Sequence, residues 1–358
     1  MKKLIAMAAA VMMVMALTAC GAPAEEQPEE QVDYEIALVT DSGLIMDGGY
    51  SEVAWTAISE FGAENGISHK YYKAADANEE SYMLSIDDAV SRGAKVIVVD
   101  GYSFDDVIYD AQEEYKDVKF ILIDSEPVEP ETGEVKIAKN TTAALFASEE
   151  AGYMAGFAAV KEGYSQLGFI GEADNAEMDD YGYGFLQGAN AAAAQNGVSV
   201  DVKYYACEDT GDRNNVMEKA REWYQQGTEA IFACGPQVEM SIIEAAEMED
   251  KDVIACETDK SEMSDTVVTS AVKDIAGVLD DMLQAYAKDE FPGGKSSWYD
   301  VSTESISMDM ETSRFAAFSE SDYRELIRAL GDKSVEVMDH SAGEISVLGL
   351  TNVTVAEE

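Results

Sequence analysis

Histidine is nearly missing from this sequence: 358 residues contain two, His69 and His340. No Ser-His-Asp or Cys-His set is evident, and the His and Cys spacings that hold zinc are absent. No catalytic residue, metal site or cofactor is therefore expected. Basic residues are scarce too, with 24 Lys and Arg against 71 Asp and Glu, a formal net charge of -47. Nucleic acid is excluded as a partner, because no basic stripe is available to offset phosphate repulsion. The acidity reads as a solvated, self-repelling surface. Cysteine is limited to Cys20, Cys207, Cys234 and Cys256. The last three each end an apolar run ("VKYYAC", "AIFAC", "DVIAC"). Their odd number argues against a disulfide framework and for small buried side chains.

Long apolar runs are confined to the start. "MKKLIAMAAAVMMVMALTAC" has two lysines, a short apolar stretch and small residues before Cys20. This reads as a signal peptide over residues 1–19, too short to span a membrane. "LTAC" at 17–20 resembles a bacterial lipobox. It implies cleavage before Cys20, acylation of its thiol (diacylglycerol, with palmitate as a typical chain) and anchoring on the extracytoplasmic face of the cell membrane. "GAPAEEQPEEQV" at 21–32 is Pro- and Glu-rich and reads as a disordered acidic linker.

From residue 35 the pattern alternates. Runs such as "EIALVT", "AKVIVVD", "VKFILID", "SQLGFIGE", "TEAIFAC" and "KDVIACE" are separated by helix-length amphipathic segments, several ending in Gly. Strands alternating with helices mean βαβ units and an α/β fold with parallel sheets. The chain also echoes itself. "TDSGLIMDGGYSEVAWTAISEFGAENGI" at 40–67 lies over "GEADNAEMDDYGYGFLQGANAAAAQNGV" at 171–198 without a gap, placing Asp41 on Glu172 and Tyr50 on Tyr181. "VKFILIDS" over "KDVIACET" places Asp124 on Glu257. Two similar lobes facing each other would bring both sets to one cleft.

Several stretches carry a family resemblance: "LVTDSGLIMDGGYSEVAW", "GYSFDDVIYDAQEEYKDVKFILID", "EEAGYMAGFAAV", "GYGFLQGA" and "VVTSAVK". Together they resemble the basic membrane protein family of solute-binding lipoproteins, which deliver purine nucleosides to ABC importers. The resemblance implies a two-lobed type I periplasmic-binding-protein-like fold, each lobe a parallel sheet flanked by helices. It implies an N-terminal lobe of residues 33–140 plus 271–310 and a C-terminal lobe of 141–270 plus 311–358. Three crossovers, near 141, 270 and 311, would form the hinge. Asp41, Gly43 and Asp47 match the family's first loop. Tyr50 stands where the family has a Phe that stacks on the base, and Ser51 where it has an Asn that bonds it. Glu257 replaces the Asp that grips the ribose, and Thr269-Ser270-Ala271-Val272-Lys273 keeps the family's Thr-Ser-x-x-Lys. Phe232, in "FACGPQVEMS", joins the ligand-binding set from a loop that is usually rich in Ala and Gly.

The chemistry of these residues can be read independently. The glycine-rich loop at 37–55 has the shape of a phosphate cradle but carries Asp41, Asp47 and Glu52 and no Lys or Arg. A phosphate needs amides plus positive charge. An ionised carboxylate only accepts hydrogen bonds, so Asp41, Asp124 and Glu257 call for donors such as sugar hydroxyls or purine N–H groups. Tyr50 and Tyr181 offer flat faces for a ring, and Lys273 can orient a hydroxyl or neutralise an acid. The expectation is a monomeric, lipid-anchored receptor that binds a small neutral ligand of the purine-nucleoside type and passes it to an ABC permease and ATPase. The alternatives are a lipoprotein sensor or receptor for an amine or a sugar, and a nucleoside hydrolase.

Overall fold

The computed structural model describes residues 33–358, apart from 42, 44, 46–48, 174, 210 and 211. The expected signal peptide, Cys20, the acidic linker and Asp47 lie outside the described residues.

The described chain begins β1 (Ile36–Thr40), α1 (Tyr50–Asn65), β2 (His69–Lys73), α2 (Glu79–Ser91), β3 (Val96–Asp100), α3 (Asp105–Glu114), β4 (Lys119–Ile123) and β5 (Thr141–Phe146). It continues through α4 (Ser148–Glu162), β6 (Gln166–Glu172), α5 (Ala176–Asn196), β7 (Val200–Cys207), α6 (Arg213–Gln225), β8 (Ala230–Cys234), α7 (Pro236–Glu249), β9 (Asp252–Glu257) and β10 (Val267–Lys273). It ends with α8 (Ile275–Ala287), β11 (Lys295–Tyr299), β12 (Ile306–Met308), α9 (Glu320–Gly331) and β13 (Val353–Glu357). Each apolar run quoted from residue 35 onward forms a strand. The alternation fits βαβ units, in which each strand is covered on both faces and reads as apolar throughout.

Two sheets result. The first has the order β11-β5-β4-β3-β1-β2, and the second β12-β10-β9-β8-β6-β7-β13. Every pair is parallel except β10 with β12. Alternate residues serve different cores. Ala37 and Val39 face α2 and α3 in one apolar cluster, while Ile36 and Leu38 join the large cluster shared with α1 and α4. Ile231 and Ala233 do the same on the second sheet, facing α6 and α7.

The chain changes sheets at points offset from those expected. Thr141–Phe146 pairs with β4, so the first passage falls at Ala147 rather than at 141. Val267–Lys273 pairs with β9, which moves the second passage to Asp274. Ile306–Met308 returns antiparallel to β10, so the third passage lies between Tyr299 and Ile306 rather than at 311. The physical reason is simple: an apolar run reveals a strand, not the neighbour with which it bonds.

Helices α4 and α5 pack backbone to backbone. A Cβ on Gly152 or Gly156 would overlap the carbonyls of Tyr181 and Phe185, and one on Gly184 or Gly188 those of Glu149 and Tyr153. Four glycines therefore permit the approach, and larger residues at those positions would push α5 away. No described helix is long and apolar enough to cross a membrane.

Candidate functional site

Ligands in open parallel sheets sit beyond the carboxyl ends of the strands. Here β4 and β9 end in two acids with left-handed backbone, Asp124 at φ 54° and Glu257 at φ 63°. That conformation crowds Cβ against the carbonyl and costs about 1–2 kcal/mol for a residue other than glycine.

Asp124 is the hub. Its Oδ1 accepts from the Phe146 amide at 3.1 Å. Its Oδ2 accepts from the Tyr50 hydroxyl at 2.9 Å and from Lys273 Nζ at 2.9 Å. Tyr50 opens α1 and Phe146 closes β5, so these groups come from elements of the first sheet. Lys273 closes β10 in the second. Its side chain is fully buried, and it also donates to the Glu177 carboxylate. Glu177 lies in the first turn of α5, which Asn175 caps by accepting from the amides of Glu177 and Met178. The ammonium stands 5.1 Å from the Tyr181 ring centre and 5.6 Å from that of Phe146. Tyr181 is fully buried and meets Phe232 edge-on at 5.8 Å. Its hydroxyl is buried without a hydrogen-bond partner.

Burial and charge compete throughout the cluster. Burial acts to strip the Lys273 proton, but Asp124, Glu177 and Glu257 overcome it and hold the ammonium above its ordinary value. Glu177 is pushed well above the carboxylate range by burial, with Lys273 pulling it back. Glu257 is raised to about 7 by burial, again against the pull of Lys273. Burial and then the Asp124 charge raise the Tyr50 phenol. Behind Glu257 lies a second buried pair, Lys260 with Glu239 at 3.4 Å, and Glu239 also accepts from the Cys256 amide at 2.7 Å.

Of the residues expected from sequence, Tyr50, Asp124, Tyr181, Glu257 and Lys273 come together, and Phe232 supports the Tyr181 ring. Ser51 is the second residue of α1 and is partly buried. Asp41 stands apart from the hub, exposed after β1, where its Oδ1 accepts from the Gly43 amide at 2.7 Å. It faces a second group at the rim: the Tyr102 phenol hydrogen-bonds Glu172, with burial and then Glu172 raising its pKa and Asp41 adding to the effect. Tyr102 follows β3 and Glu172 ends β6, so this contact also joins elements of the two sheets. Glu177, Tyr102 and Phe146 were missed. Glu177 reads in sequence as an ordinary first-turn acid, and only its register after the Asn175 cap points to the crevice.

This arrangement offers oriented acceptors, one ammonium and aromatic walls, without a nucleophile poised beside a base. Among the described residues, no group of three His, Cys, Asp or Glu side chains is placed to hold a metal ion.

The chain is similar to known proteins. The family described as ABC transporter substrate-binding protein PnrA-like (Bmp) matches residues 35–338. The ABC transporter nucleoside-binding protein BmpA of Lactococcus lactis is 23% identical over 304 residues, covering 78% of this chain and 83% of that protein. Basic membrane protein D of Borreliella burgdorferi is 24% identical over 309 residues, covering 85% and 86%. Among solved structures, an ABC transporter solute-binding protein from Aeropyrum pernix superposes with a TM-score of 0.72 at 16% identity, covering 88% of this chain and 98% of that one. The fold is therefore that of the solute-binding proteins, two parallel-stranded sheets flanked by helices, and the chain belongs to the Bmp family of PnrA-like ABC transporter substrate-binding proteins.

Proposed function

We propose that this chain is the membrane-anchored receptor of an ABC importer and that it closes its two sheets around a nucleoside-like solute, which it hands to the permease. The observation that carries this reading is Lys273, an ammonium on the second sheet bonded to Asp124 on the first beneath Tyr50 and Tyr181. Such a bond exists only while the halves are together, so closure and site assembly are one event. The passages at Ala147, at Asp274 and between Tyr299 and Ile306 act as the hinge. Tyr50 and Tyr181 take the base, with stacking worth about 1–3 kcal/mol per base. Asp124 and Glu257 accept from the base and the sugar hydroxyls, and Asp41 and Ser51 line the entrance. Cys20 carries the lipid, and the chain acts as a monomer without a cofactor.

The name of the Lactococcus relative supports a nucleoside as the ligand. The test is a thermal-shift screen of purine nucleosides, pentoses and amines on the full chain. Adenosine, inosine or guanosine is expected to raise Tm with concentration, as mass action requires of a native-state ligand. A flat response to all three, beside a response to a pentose, would remove the base from the reading.

A further inference from the structure

The buried groups around Lys273 do not balance. Asp124, Glu177 and Glu257 surround one ammonium, while Lys260 is already matched by Glu239. Three acids share one ammonium, too little positive charge to keep all of them ionised, and burial holds Glu177 and Glu257 toward their protonated forms. An independent observation points the same way. The Tyr181 hydroxyl is fully buried, has no hydrogen-bond partner, and lies in the field of Glu177, Glu257 and Asp124. A buried polar group left unpaired is uncommon and calls for a missing partner. The cluster's own donors, the Tyr50 hydroxyl and the Lys273 ammonium, are directed at Asp124 and Glu177. What the crevice lacks is a further donor of positive charge. A ligand hydroxyl brings one proton and no charge, whereas an ammonium brings three donors, no acceptor and the charge itself.

Resting on the reading of this crevice as the ligand site, we propose that the ligand presents a positively charged amine to Glu177, Glu257 and the Tyr181 hydroxyl, so that an amine-bearing nucleoside-like solute is taken in preference to its neutral counterpart. Glu177 sets this preference because burial holds it toward its neutral form, and a cation beside it favours the carboxylate. It also shares the Lys273 ammonium with Asp124, so the amine sits beside the bond that joins the two sheets. A phosphorylated ligand is the worst match, since it brings negative charge to an acidic crevice.

The test holds the base constant and varies the charge. Isothermal titration of the full chain at pH 7 compares adenosine, 5′-amino-5′-deoxyadenosine, 3′-amino-3′-deoxyadenosine and adenosine 5′-monophosphate, with tyramine and spermidine as amines without a nucleoside. The tighter amino analogue is expected to bind about tenfold better than adenosine, the gain typical of a charge-assisted over a neutral hydrogen bond, with the monophosphate weakest. Glu177→Gln is expected to reduce the ratio of amino analogue to adenosine to below about threefold. Adenosine binding as tightly as both amino analogues overturns the amine proposal and leaves the nucleoside reading standing. Tyramine or spermidine binding while every nucleoside fails does the reverse. No binding of any probe overturns both. The comparison on the unmodified chain decides the matter even if the Glu177 variant does not fold.

Discussion

The two helices that open onto the crevice, α1 and α5, are equivalent in the internal repeat but are built differently. α1 starts at Gly49, which provides no side-chain cap, and its Tyr50 is partly buried and bonded to Asp124. α5 starts under an Asn175 cap, is held against α4 by close glycine contacts, and buries Tyr181 completely with its hydroxyl unpaired. One half reads by a directed hydrogen bond from Tyr50 at its helix start. The other is a fixed wall with an open polar position. The same βα plan has thus produced one jaw with a made hydrogen bond and one with an unpaired hydroxyl.

The largest test of this contrast removes what joins the halves. Lys273→Ala leaves Asp124, Glu177 and Glu257 buried without their ammonium, and is expected to cost about 3 kcal/mol of stability, read as a shift in the urea midpoint. A loss below about 1 kcal/mol, typical of an exposed ion pair, would mean that the pair does not organise the crevice. Next come the two tyrosines, whose hydroxyls should behave oppositely. Tyr50→Phe removes a bond to a charged acceptor and is expected to cost about 1.5 kcal/mol. Tyr181→Phe removes an unpaired buried hydroxyl and is expected to leave stability unchanged or raise it by up to about 1 kcal/mol. Equal losses from both would erase the difference between the jaws.

The smallest effect is on pH dependence. Glu257 ionises near its ordinary 4.5 when unfolded but at about 7 in the fold. Between those values the native state binds more protons, so this group's contribution to stability is greatest below 4.5 and declines as pH rises to 7. Glu257→Gln is expected to flatten the fall in Tm across that window; an unchanged slope would place the titration elsewhere.

Much of the fold was legible because a strand covered on both faces must be apolar throughout, as "AKVIVVD" and "VKFILID" are. The strands that escaped were β2, β5, β11, β12 and β13. β2, "HKYYK", and β11, "KSSWY", lie at or near sheet edges and carry polar residues, while β5, "TTAALF", has little apolar mass to mark it. The site was legible where position alone sufficed: Asp124 follows and Glu257 ends a buried strand, while Tyr50 begins α1 and Tyr181 lies in the second turn of α5. Glu177 was not, because an acid in a first helical turn is favoured by the helix dipole whether or not it touches anything. Asp41 appeared central in sequence and lies at the rim, since loop composition does not say which way the loop turns.

The central claim is that one crevice between the sheets takes the ligand. Photolabelling the full chain with 8-azidoadenosine and mapping the modified peptides tests it most directly. The expected result is label on the peptides that contain Tyr50 and Tyr181, removed by excess adenosine. Label confined to the groove of about 560 Å³ between α1 and α8, lined by Glu60, Glu64 and Asp280, and competed there by adenosine, would contradict it.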